Sequence, residues 1–232
     1  MKIISNEHFN GSYINDMIIA RKNIKQNQLF NSKWIDFTLI DGYDIRVFNF
    51  NNDHILTWTK DFYHFAALYK NNQLYYITKL FDSQKVERHK NWILLWNQTD
   101  LCNTKWIVWF GPLLKIATVD FITKNVKVST MSYGYKNIRG GTPFVEYNGY
   151  YYCFAHERSY FPRSIKCVLI KMNKYIQIEN QSKPFTFFED SYYEYPMSFK
   201  YENDYFYLLL GKNDKQLVEI EMSVNDLFKM LN

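Results

Sequence analysis

The sequence predicts an all-β fold: a five-bladed β-propeller over residues 1–232 with a short C-terminal helix. Three observations carry this expectation. An Asn-led strand recurs five times, aromatic residues make up 19% of the chain, and 232 residues shared among five units leave about 46 each. That length holds four short strands, the content of one blade. Aromatic residues favour strands because flat rings pack across a pleated face. A β-sandwich of the same composition would not require evenly repeated hairpins.

The units follow in order. They open at Asn15, Asn52, Asn103, Asn148 and Asn203, with separations of 37, 51, 45 and 55 residues. Asn-Asp and Asn-Gly pairs accept the positive φ that tight hairpins need. Residues 45–50, 142–147 and 197–201, just before three of these turns, also read as strand. Each unit is therefore strand, turn, strand. A further pair, 66–69 and 74–78, flanks Asn71 and Asn72. At the tail, Ser223 is placed to cap a helix over 224–231, with Leu227, Met230 and Leu231 on one face.

Composition narrows the function classes. The net charge is +5, but Lys and Arg are scattered, so no nucleic-acid partner is expected. The start lacks the apolar core of a signal peptide, and no apolar run approaches the ~18 residues of a membrane span. Cys102, Cys153 and Cys167 cannot build a disulfide framework and read as core thiols. A reducing, cytoplasmic location follows as the expectation, with no membrane partner. The triplets at Asn10, Asn97 and Asn180 read as chance in so Asn-rich a chain. The five His residues show no metal-ligand spacing, and no P-loop, GxGxxG or GxSxG is present, so no metal or cofactor is expected.

In a propeller, polar residues at inner strand ends converge although far apart in sequence. Several units offer such residues. Arg21 comes from the first, and Asp41, Asp44 and Arg46 from the second. His89, Lys90 and Asn91 open the third, Arg139, His156, Glu157 and Arg158 belong to the fourth, and Glu194 and Asp214 to the fifth. Carboxylates accept from sugar hydroxyls, while Arg and Lys donate to them. Two opposed carboxylates can act as acid and base on a glycosidic bond. Purely structural roles are equally open. Asp44 and Arg46 suit an inter-blade ion pair, Arg139 a turn leading into a strand, and His156-Glu157 a polar strand end. Glu194 suits a turn cap, and 211–214 a plain hairpin.

With these residues in place, the chain resembles the five-bladed β-propeller glycosidase superfamily. It is similar to the β-mannoside phosphorylase-like branch and to the propeller modules beside bacterial glycosyltransferases. The resemblance runs in order along most of the chain. Asn10-Gly11-Ser12 and Arg21 are a contracted form of the family's Asn-Pro-Ser and following Arg. Tyr43-Asp44-Ile45-Arg46 stands for Glu-Asp-x-Arg, and His89-Lys90-Asn91-Trp92 for Glu-Lys-Asn-Trp. Arg139-Gly140-Gly141-Thr142-Pro143 is intact, as are His156-Glu157 and Ser182-Lys183-Pro184-Phe185. Tyr160-Phe161-Pro162-Arg163 stands for Tyr-x-His-Arg, and the closing blocks are Glu194-Tyr195 and Gly211-Lys212-Asn213-Asp214.

The resemblance implies a carbohydrate-active protein acting on a glycoside by hydrolysis, phosphorolysis or transfer. Asp44 would be the general acid. Arg46, Lys90 and Arg139 would hold phosphate or substrate, and His156, Glu194 and Asp214 sugar hydroxyls. Arg21, Asn91 and Glu157 complete the expected substrate-binding set. The implied partners are a carbohydrate or sugar phosphate, inorganic phosphate and a glycosyltransferase. A non-catalytic glycan-binding propeller is the alternative, and a protein-interaction propeller a third reading.

Overall fold

A computed structural model describes residues 1–8, 40, 42–61, 63–80, 91–110, 113–133, 138–160, 163–213 and 215–232. These residues form four antiparallel sheets and one short helix. The first strand, β1 (Lys2–His8), belongs to the last sheet. The first sheet is β2 (Tyr43–Phe50), β3 (Asp53–Lys60), β4 (Tyr63–Lys70) and β5 (Gln73–Leu80) in that order. The second is β6 (Ile93–Leu94), β7 (Thr104–Trp109), β8 (Leu113–Asp120) and β9 (Asn125–Tyr133).

The third sheet has a divided first strand. Both β10 (Ile138–Arg139) and β11 (Val145–Tyr147) pair with β12 (Tyr150–Tyr160), followed by β13 (Arg163–Met172) and β14 (Ile178–Gln181). The fourth runs β15 (Glu194–Glu202), β16 (Tyr205–Lys212), β17 (Gln216–Ser223), and then β1.

Hence the first three sheets run in chain order from one edge, and the fourth does so from β15 to β17, with β1 added at its far edge. The expectation was five units; among the described residues there are four. The difference falls on the unit at Asn15, which lies outside the described residues together with Asn10-Gly11-Ser12.

The Asn-led turns sit where the repeat placed them. Asn148 and Gly149 have φ of 49° and 75°, and Asn203 and Asp204 have 50° and 65°. Consecutive positive φ values match the right-handed twist of the strands they join. Asn71 and Asn72, at 50° and 58°, turn β4 into β5 in the same way. The unit at Asn103 is built differently. Asp100 Oδ1 accepts from the Cys102 amide at 2.8 Å, and the Asp100 carbonyl accepts from the Asn103 amide at 3.2 Å. Cys102 is therefore an exposed turn residue, which corrects its expected place in a strand core; Cys153 and Cys167 are buried as expected.

The sheets pack face on face. Phe48, Ile55 and Leu68 of the first sheet join Trp106, Ile116 and Val119 of the second and Cys153, Val168 and Ile170 of the third in one core. Tyr152, Phe154 and Leu169 join Phe199, Phe206 and Ile220 of the fourth in another. Each fully buried side chain of this size contributes about 1.5–3 kcal/mol of hydrophobic stabilisation.

The tail forms α1 (Val224–Met230), one residue shorter than expected at its end. Ser223 Oγ accepts from the Asp226 amide at 3.1 Å, and Asp226 Oδ2 accepts from the Ser223 amide at 3.1 Å. This reciprocal box satisfies donors that a helix start leaves open. Leu227 is buried in the core of the third and fourth sheets, with Met230 and Leu231 packed beside it. Ser223→Ala should cost about 1 kcal/mol, read as a lower denaturant midpoint with an unchanged slope.

Candidate functional site

The edge strands β2 and β15, the β10–β11 pair and the chain entering β6 meet. Arg46 on β2 donates from Nη2 to Asn91 Oδ1 at 3.1 Å, just ahead of β6. Its Nη1 donates to the Pro196 carbonyl on β15 at 3.4 Å. Arg46 is 7% exposed, so this guanidinium is an internal tie between sheets distant in sequence. Asn91 holds φ at 67°, which aims its backbone away from an ordinary strand path.

The Arg139-to-Pro143 block supplies the fourth wall. Arg139 lies opposite His156, and Val145 lies opposite Tyr152. Six steps along one side thus face four along the other, and the extra residues bulge at Gly140 and Gly141. Thr142 stitches the bulge down: its amide donates to the Phe154 carbonyl at 2.8 Å, and its hydroxyl accepts from the Phe154 amide at 3.0 Å. A Cβ on Gly140 would lie 2.1 Å from the Asn91 carbonyl, and one on Gly141 would lie 2.9 Å from Pro196 Cγ. Glycine is what lets three sheets touch here. His156 is buried (3% exposed) and sets its ring edge-on to Tyr195, centroids 5.9 Å apart.

So the structure brings Arg46, Asn91, Arg139 and His156 to one pole, around the Gly140–Gly141 crossing. The side chains placed here are basic or neutral, which suits an anion or a hydroxyl-rich ligand. Of Asp44 the structure describes the backbone, in β2 two residues before Arg46. Arg21, Asp41, His89, Lys90 and Asp214 lie outside the described residues.

Two expected binders are placed otherwise. Glu157 follows His156 on β12 and so faces the opposite side of the sheet. There it lines a groove with Asn180 and Ser182 beside β14. Glu194 is fully buried, and its carboxylate is engaged by the chain itself. Oε2 accepts from the Phe187 amide at 2.7 Å and Oε1 from the Phe188 amide at 3.0 Å. Burial pushes its pKa up, against those bonds, which pull it down. The Cys167 thiol donates to Oε2 at 3.8 Å and is itself pushed well up by burial and then by the Glu194 charge. Glu194 thus clamps the loop before β15. Lys212 and Asn213 fasten the same loop, Lys212 to Asp190 at 2.7 Å and Asn213 Oδ1 to the Tyr192 amide at 2.9 Å.

The sequence reading did not single out the Pro196 carbonyl, which accepts from Arg46; a main-chain acceptor has no residue signature. Among the described residues no three His, Cys, Asp or Glu side chains gather as a metal site.

The sequence matches no protein-family model and no curated protein. Solved structures do resemble it. A β-1,2-mannobiose phosphorylase from Listeria innocua, solved with β-1,2-mannobiose, superposes with a TM-score of 0.57 at 13% identity. That match covers 81% of this chain and 60% of the phosphorylase. A glycosyl hydrolase from Bacteroides ovatus gives 0.54 at 13% identity over 88% of this chain and 69% of that one. An exo-β-1,3-galactanase from Phanerochaete chrysosporium, with β-1,3-galactotriose, gives 0.53 at 11% over 79% and 47%.

The fold is a β-propeller. Its sheets are blades, β2, β6, the β10–β11 pair and β15 are their inner strands, and Arg46 ties inner strands together. The chain spans less than two thirds of the phosphorylase and about half of the galactanase.

Proposed function

We propose that this propeller acts on a glycoside bound at the pole where Arg46, Asn91, Arg139 and His156 converge. The observation that carries the reading is the Arg46 tie to Asn91 and Pro196, which gathers polar groups of separate blades at one end of the inner strands. The fold likeness to a mannobiose phosphorylase and a galactanase supports a sugar as the ligand. In this reading Asp44 protonates the glycosidic oxygen as its bond to the anomeric carbon breaks. Water or an oxygen of inorganic phosphate forms the new bond to that carbon. Arg139 and Lys90 hold the phosphate, and His156 and Asp214 hold sugar hydroxyls. Arg21 would join them from the first unit. The protein works in a reducing, cytoplasmic setting, with a glycosyltransferase as its partner.

A fifth blade belongs to the same proposal. The first blade carries a second buried apolar face of Ile45, Val47, Leu56, Trp58 and Tyr69, and the last blade one of Met197, Leu209 and Leu217. Both faces lie away from the blade–blade cores already described, and the repeat at Asn15 supplies a unit to lie between them.

The second reading, sugar binding without turnover, is favoured by the engagement of the Glu194 carboxylate and by Tyr43 in place of an acid. One experiment separates them. The purified chain is assayed on mannosides, galactosides and glucosides, with and without phosphate, beside Asp44→Asn. Turnover that falls by about a thousandfold in Asp44→Asn while binding persists supports the acid role. Full turnover in that variant sinks it, and binding with no turnover on any substrate selects the second reading.

A further inference from the structure

The inner strands converge twice. Their N-terminal halves meet at Arg46, Asn91, Gly140 and Pro196. Their C-terminal halves enclose a separate cavity of about 420 Å³. Its lining begins at Val47, directly after Arg46, and at Leu94 and Phe199, three residues beyond Asn91 and Pro196, and it runs on to Asn97 and Glu202. The cavity therefore lies further along the inner strands, towards their C-terminal ends, than the proposed glycoside site.

Its wall is aromatic. Trp96 of one blade stacks on Tyr151 of the next, with centroids 3.8 Å apart and planes 10° from parallel. Phe144 meets Trp96 edge-on at 5.0 Å. Polar groups stand on this platform. Asn97 donates its amide to Tyr151 Oη at 3.3 Å. Glu146, directly across the ladder from Tyr151, is exposed. Burial and then the Glu146 charge push the Tyr151 phenol up, so it stays a neutral hydroxyl. Lys200 is already paired with Glu202 at 2.5 Å. Among the lining side chains the uncompensated charge is thus negative, which disfavours an anion.

A flat aromatic wall, an exposed carboxylate that the Tyr151 hydroxyl engages on one side, a carboxamide and no net positive charge together match one ligand chemistry. It is a neutral ring with an apolar face and hydroxyls on its rim, and the volume suits a mono- or disaccharide. We infer that this cavity is a second, non-catalytic sugar site, in which Trp96 supports the ring and Glu146 and Asn97 take its hydroxyls.

The test is calorimetric titration of the full chain with mannose, galactose, glucose and β-1,2-mannobiose, with adenosine as a ligand that offers stacking. Glu146→Gln and Trp96→Phe are compared with Arg46→Lys, after each variant is shown to melt as the parent does. One of the sugars is expected to show a binding event that weakens about tenfold in Glu146→Gln and in Trp96→Phe, beside a second event at the glycoside pole that Arg46→Lys weakens instead. No sugar binding, binding by adenosine alone, or sugar binding that only Arg46→Lys alters would overturn the inference. That last pattern would leave the glycoside pole standing. Binding altered only by the Glu146 and Trp96 changes would leave this cavity standing and count against the pole.

Discussion

Glu194→Ala is expected to lower the melting temperature by about 6–12 °C, from a loss of about 3 kcal/mol. The alanine leaves the Phe187 and Phe188 amides without their carboxylate acceptor, inside a fully buried setting. A charged acceptor makes each of those bonds worth more than a neutral one, and the loop they hold covers the start of β15. Glu194→Gln should fall between, since one oxygen remains and the new amide group faces an amide donor. The pH dependence has a defined direction. Burial raises the folded pKa above the ordinary 4.5, so the folded state holds the proton over a range where the unfolded chain has lost it. Stability from this group is therefore greatest below 4.5 and declines as pH rises through the raised value. Denaturant unfolding across that range should show the decline in the parent and none in Glu194→Gln. A parent and a variant with the same slope would contradict the buried-carboxyl account.

Gly140→Ala is expected to be comparably severe and to damage the site as well. Its Cβ would stand 2.1 Å from the Asn91 carbonyl and 2.8 Å from Ile93 Cγ1. The nearest obstacle is backbone, so relief requires two blades to move apart, at about 3 kcal/mol or more. Asn91 is also the acceptor for Arg46, so the shift breaks the tie that gathers the pole. Gly149→Ala is the control. No atom lies within 4 Å of its Cβ, and only the φ of 75° strains the alanine, at about 1 kcal/mol. Thermal melts of the two variants should therefore separate widely, and sugar binding at the pole should be lost only in Gly140→Ala. Equal melts would show that the blades yield more easily than this packing allows.

What could be read from the sequence was local. Asn148-Gly149 and Asn203-Asp204 announce their hairpins because few residues accept positive φ, and Ser223 announces the helix because a cap needs a side-chain acceptor. The Asn-led repeat and the runs of aromatic and aliphatic residues beside its turns carried the strands, and the order of polar strand ends pointed to Arg46, Asn91, Arg139 and His156. Partners across blades were not legible. Glu194 reads as a sugar ligand until its carboxylate is seen against the Phe187 and Phe188 amides, since nothing in a carboxylate's neighbours names a main-chain donor. Glu157 beside His156 looks like one motif, yet adjacent strand residues face opposite ways. Cys102 follows an Asp whose side chain turns the chain before the strand begins. The aromatic cavity escaped notice because Trp96 and Tyr151 are 55 residues apart and each alone looks like strand packing.

The pairing of β1 with β17 also fixes an order of assembly. Lys2 lies opposite Glu221, so β1, made before every other described strand, has no partner until β17 has been made. Through that interval its backbone donors and acceptors stay open to rival edges, and closing so distant a contact is slow. The last blade is consequently the final one to be completed, and its completion joins the two ends of the described chain in one sheet.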